Sequence, residues 1–136
     1  MSIVQAKITK IEAQVNAGSK GEKISVSNNI KLSNVEAMNL ETGGKKGVRV
    51  TFNFESKYTP SIGSIKLEGQ IMYVSESEKI DSMLEKWNSE KKIETDLHMS
   101  LTKAALTKSH LKAIKIADEL GLATPYNLTP EFKKAN

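Results

Sequence analysis

The chain has 136 residues, 38% of them hydrophobic and 26% charged, ordinary proportions for one globular domain that can bury roughly two-thirds of its unfolded surface. It has no cysteine, which excludes disulfides, thiolate catalysis and cysteine-ligated zinc and fits a reducing compartment. The net charge of +4 raises nucleic-acid binding as a function class, but the excess is lysine spread over Lys45-Lys46, Lys91-Lys92 and Lys133-Lys134, where solubility explains it equally well.

The stretch from Met1 to Val15 is broken by Gln5, Lys7, Thr9, Lys10 and Glu12, and no later run approaches a membrane span, so the expected location is cytoplasmic. Its apolar residues fall first on Val4, Ala6 and Ile8, then on Ile11, Ala13 and Val15. The parity changes between Ile8 and Ile11. A bulge or strong twist would return both sets to one face; an unbroken strand would be apolar on both sides and suit a subunit interface. A loop over Asn16 to Gly21 follows.

Ile24, Val26, Ile30 and Leu32 alternate with polar residues in a second strand, with Asn28 interrupting the apolar row as a candidate irregularity. Val35 to Leu40 either extends that strand past a bulge or forms a short extra one. The Gly43-Gly44 step is a hairpin signal. The surrounding Thr42 to Gly47 lacks the G-x-x-x-x-G-K-[ST] spacing of a phosphate loop and reads as a structural turn. From Val48 the alternation is clean. Val48, Val50, Phe52, Phe54 and Tyr58 point one way; after a turn at Thr59-Pro60-Ser61, Ile65, Leu67, Ile71 and Tyr73 repeat the pattern, giving an antiparallel hairpin with one apolar face.

Ser75-Glu76-Ser77-Glu78 matches a capping box and predicts a helix start, with Ile80, Met83, Leu84 and Trp87 at helical spacing. Thr95 or Asp96 can cap a second, longer helix that Gly121 and then Pro125 stop. In this helix Leu97, Leu101, Ala104 and Ala105 form a first stripe. Leu106, Ala113, Ile116, Ala117 and Leu120 form a second, turned by roughly 130° at about 100° per residue. Lys108, Lys112 and Lys115 stand where the first stripe would continue. The second half fits the chain's own sheet. The first half fits the shorter helix or another chain, or both halves cross a twisted sheet of their own subunit. An uncovered first stripe would make a dimer or larger assembly the resting state.

No catalytic set emerges. His98 and His110 lack the spacing of two ligands on one helix turn, so no metal site is expected. The carboxylates neighbour lysines, and the serines lack a G-x-S-x-G elbow. No cofactor motif is present either. An enzyme with an unrecognised site is the least supported reading. Trp87 and Met83 suit core packing or a partner-contact anchor. Phe52, Phe54 and Tyr58 point inward, which disfavours a base-stacking platform.

Strands followed by a short and a long helix, the run Ile62 to Tyr73, Trp87 ahead of Lys91-Lys92, and Ala117-Asp118-Glu119-Leu120-Gly121-Leu122 before Pro125 together resemble the SecB-like chaperones, over roughly the last two-thirds of the chain. The resemblance implies an α+β fold over residues 1–136: a four-stranded antiparallel sheet to residue 74, with room for an extra short strand, then two helices on one face over 75–121 and a tail from 122. It implies a homo-dimer or homo-tetramer without enzymatic activity that binds unfolded or export-bound polypeptides, or an antitoxin, independently of ATP. It places polypeptide-binding or interface residues at Met38, Leu40, Leu101 and Ala105, to which the residue patterns add Met83, Trp87 and Leu97 as candidates. Export chaperones of this type are acidic, unlike this basic chain. The alternative reading is a nucleic-acid-binding accessory protein using its lysines, Lys108, Lys112 and Lys115 foremost.

Overall fold

A computed structural model describes residues 2–15, 25–59 and 63–121. Four strands, β1 (Ser2–Val15), β2 (Ser25–Thr42), β3 (Lys45–Thr59) and β4 (Gly63–Glu76), are followed by two helices, α1 (Ser77–Glu90) and α2 (Thr95–Leu120). The strands form one antiparallel sheet in the order β1-β4-β3-β2. The fold is therefore the α+β arrangement expected. Of the turn expected at Thr59-Pro60-Ser61, Thr59 ends β3, while residues 60–62, like the loop expected over Asn16 to Gly21 and the stretch 122–136 with Pro125, lie outside the described residues.

The alternation in β3 and β4 sets the architecture. Val48, Val50, Phe52, Phe54, Tyr58, Ile65, Leu67, Ile71 and Tyr73 are all buried on the face that the helices cover. Gly43 and Gly44 both adopt positive φ, 58° and 77°, the geometry a tight two-residue hairpin turn requires. Gly69 serves a different end: a Cβ there would collide with the Phe52 ring and the Lys7 carbonyl, so the bare backbone lets Phe52 lie across it.

The parity change in β1 resolves as bulges. The register with β4 shifts between Ile3 and Gln5 and again between Ile8 and Lys10. Between and beyond those shifts Ala6, Ile8, Ile11 and Ala13 stand opposite Ile71, Gly69, Leu67 and Ile65. Opposed residues share a face, so both apolar sets meet the helix side. Val4 departs from expectation, since the first bulge turns it out to 64% exposure and Ile3 takes the place opposite Tyr73.

In β2 a shift between Leu32 and Asn34 brings Val35 and Ala37 opposite Val50 and Val48, so Val35 to Leu40 extends the strand. Asn28 is no irregularity. It pairs in register with Ser56, whose Oγ donates to Asn28 Oδ1 at 2.7 Å.

Both helix starts differ from the local capping signals. Ser75 remains in β4, buried and paired with Lys46 of β3, because continuing the ladder satisfies more backbone groups than ending it early. Glu76 occupies the cap position without a side-chain bond. Instead the Ser77 amide and hydroxyl both donate to the Gly44 carbonyl, at 3.0 and 2.9 Å, and Lys46 pairs with Asp81 at 3.0 Å, tying α1 to the hairpin turn. At α2 the cap position is Glu94, again without a side-chain bond, so neither Thr95 nor Asp96 caps it. Gly121, with φ 71°, ends α2 as expected.

α2 carries one buried stripe rather than two: Leu101, Ala105, Ser109, Ala113, Ile116 and Ala117. Ser109 bridges the point where the apolar pattern breaks. Its first half meets Val48, Val50, Phe52, Ile71 and the α1 residues Ile80, Met83 and Trp87; its second half meets Phe54, Tyr58, Ile65 and Leu67. Both halves thus pack on the chain's own sheet. The twist of that sheet, and the small residues at every fourth position that let the helix ride close to it, account for the change of neighbours along the helix.

Candidate functional site

At one end of the sheet, α1, the α1–α2 connection, the start of α2 and strands β1 and β4 enclose a pocket of about 790 Å³. Its apolar lining is Ile3, Tyr73, Met83, Ile93 and Leu97; Glu78, Lys79, Lys86, Glu94 and Asp96 supply charge of both signs. Each apolar member is placed by a local rule. The β1 bulge sets Ile3 opposite Tyr73, Met83 lies on the α1 stripe with Ile80 and Trp87, and Leu97 sits on the first turns of α2. Ile93 is the one apolar residue in a polar connection and is buried. A mouth of mixed charge over an apolar floor suits a segment that buries side chains while its backbone stays near water.

Beside the pocket, β1 is an edge strand, paired among the described residues only with β4. Ile3, Ile11 and Val15 on its helix-facing row are 38%, 46% and 46% exposed. A row of unpaired backbone groups beside apolar side chains is a template for association.

No family model and no curated protein matches this chain. Among solved structures it is similar to the SecB-like chaperone Rv1957 of Mycobacterium tuberculosis, determined in complex with a ChAD peptide from the Rv1956 HigA1 antitoxin. The TM-score is 0.59 at 12% identity, over 90% of this chain and 85% of that one. The chain has the fold of a SecB-like chaperone.

Within this SecB-like fold the sequence-derived candidates separate. Met83 and Leu97 come together in the pocket. Trp87, Leu101 and Ala105 lie behind it in the core, with Leu101 and Ala105 at 0% exposure. Trp87 packs as a core residue, and the Lys91 ammonium stands 5.5 Å from its ring centroid. Met38 is half-buried on β2, at the opposite edge of the sheet from β1. Leu40 is on β2 too, and its side chain lies outside the described residues. Ile3, Tyr73 and Ile93 are the apolar pocket residues that sequence reasoning missed as site members; the charged ones around them were missed as well. Ile93 had a signal, a lone apolar residue between two helices. Ile3 had none, since the bulge that turns it inward depends on pairing with β4.

His98 is exposed, while His110 is half-buried with its ring edge-on to Phe54 at 6.2 Å. Burial holds the His110 pKa below its ordinary value. Burial also raises Tyr58, partly offset by a side-chain hydrogen bond with Ser56. Among the described residues no group of three or more histidines and carboxylates could hold a metal ion, and no helix is long and apolar enough to cross a membrane.

Proposed function

We propose that this chain is a non-enzymatic, ATP-independent polypeptide-binding protein of SecB-like type that takes an extended segment of an unfolded protein or an antitoxin. The observation that carries the reading is the open pocket of about 790 Å³ whose floor joins Ile3, Met83 and Leu97. It lies in a fold shared with a chaperone that was solved holding a peptide. Backbone groups of an extended client would stay solvated or pair with the β1 edge, while its apolar side chains enter the pocket. The antitoxin form of the proposal rests on that neighbour's ligand, and the general form on the pocket itself.

The test is suppression of aggregation of a thermally unfolded reporter protein, with and without Leu97→Asp. Leu97 is half-buried, so a carboxylate there still reaches water and leaves the fold intact while placing charge in the pocket against the client. The native chain should keep the reporter in solution, and the variant should lose most of that effect with an unchanged circular dichroism spectrum. A native chain without effect, or a folded variant with full effect, would remove the pocket from the function.

A further inference from the structure

The outward face of the second half of α2 is the part of the molecule whose chemistry the pocket leaves unused. Lys108, Lys112 and Lys115 follow one another at four and three residues and therefore share a side of the helix, spanning about 10 Å at 1.5 Å per residue. Leu111 stands beside them at 61% exposure. Between Asp96 and Asp118 the helix has no carboxylate.

Five cations on the strands are ion-paired: Lys10 with Glu12, Lys46 with Asp81, Arg49 with Glu36, and both Lys57 and Lys66 with Glu55. None of Lys108, Lys112 and Lys115 is ion-paired among the described residues. Helix stability does not explain the arrangement. The last turn, where the helix dipole favours cations, has none and holds Asp118 and Glu119 instead.

We propose that Lys108, Lys112 and Lys115 around Leu111 form a docking surface for a short acidic segment of another protein, one that sets two or three carboxylates about an apolar side chain. The match is one of charge and length. Carboxylates at helical or extended spacing reach lysines within about 10 Å, and Leu111 gives an apolar side chain a partner that a sugar–phosphate backbone does not present. A nucleic-acid strand running along the helix would meet Asp118 and Glu119 just past Lys115, so the cationic row ends too soon for a continuous polyanion. A membrane surface needs an apolar helix face, and α2 spends its own on the sheet. A second copy's α2 would set lysine against lysine.

The surface lies apart from the pocket, so its use does not depend on the proposed client binding. The experiment measures fluorescence anisotropy of a labelled synthetic peptide with three glutamates around one leucine, titrated with the full chain. The expected result is salt-sensitive binding that weakens at least roughly tenfold when all three lysines become glutamine. Binding should be retained when all three become arginine and weaken in Leu111→Ser. Suppression of reporter aggregation should be unaffected in the glutamine variant, since Leu97 and Met83 are untouched. Four results would overturn the proposal. They are equal binding by the glutamine variant, equal binding of a peptide with glutamine for glutamate, and tighter lysine-dependent binding of a single-stranded oligonucleotide or of phosphatidylserine vesicles. The fourth is a fall in the chain's assembled mass in the glutamine variant, which would make the partner a second copy.

Discussion

The His110 ring packs edge-on against Phe54 where α2 crosses β3, and its burial favours the neutral imidazole. The sign of the consequence follows from linkage. With the folded pKa below the ordinary 6.5, the unfolded chain binds the proton more readily, so this contribution is fully present above about pH 6.5 and is lost as pH falls. Urea midpoints should therefore decline from about pH 7.5 to about pH 5.5, and His110→Gln should flatten that decline. A variant with the native slope would place the pH dependence elsewhere. Residue-scale reading from sequence held at Gly121, whose positive φ ends α2. It failed at Ser75 and Thr95, which cap neither helix; strand pairing carries β4 past Ser75.

At the scale of the element, α2 separates a stripe of small residues from the two stripes that hydrophobicity suggests. Ser109 is polar in sequence and fully buried in the structure, and its hydroxyl has no hydrogen-bond partner among the described residues. It is retained by size, since a larger apolar residue would lift the helix off the sheet. Ser109→Ala keeps the small volume and removes a buried unsatisfied group, which should raise stability by about 1 kcal/mol in chemical denaturation. Leu101→Asp tests the other half of the stripe. It should cost more than the roughly 2–5 kcal/mol of a buried Leu→Ala change, because the carboxylate must also be desolvated. The chain should lose its native circular dichroism spectrum. A folded, dissociated Leu101→Asp chain would instead return this stripe to a subunit interface.

For the whole molecule, the unpaired outer edge of β1 and its exposed Ile11 and Val15 support assembly through the first strand, the surface left once α2 is assigned to its own sheet. We predict a dimer or larger species by light scattering at micromolar concentration, reduced to monomer by Ile11→Glu with strand content retained. A monomeric native chain would leave the edge to clients alone. The sheet, its helix-covered face, the Gly43-Gly44 turn and the Gly121 stop were legible in the sequence because each rests on a short-range rule: alternation of period two, or the need for positive φ. The two β1 bulges, the single stripe of α2 and the pocket were decided only in three dimensions. A bulge is defined by the partner strand, and a serine joins a core stripe only where a neighbouring sheet approaches. Likewise Ile3, Met83 and Leu97, far apart along the chain, become one surface only when α1 and α2 close over β1 and β4.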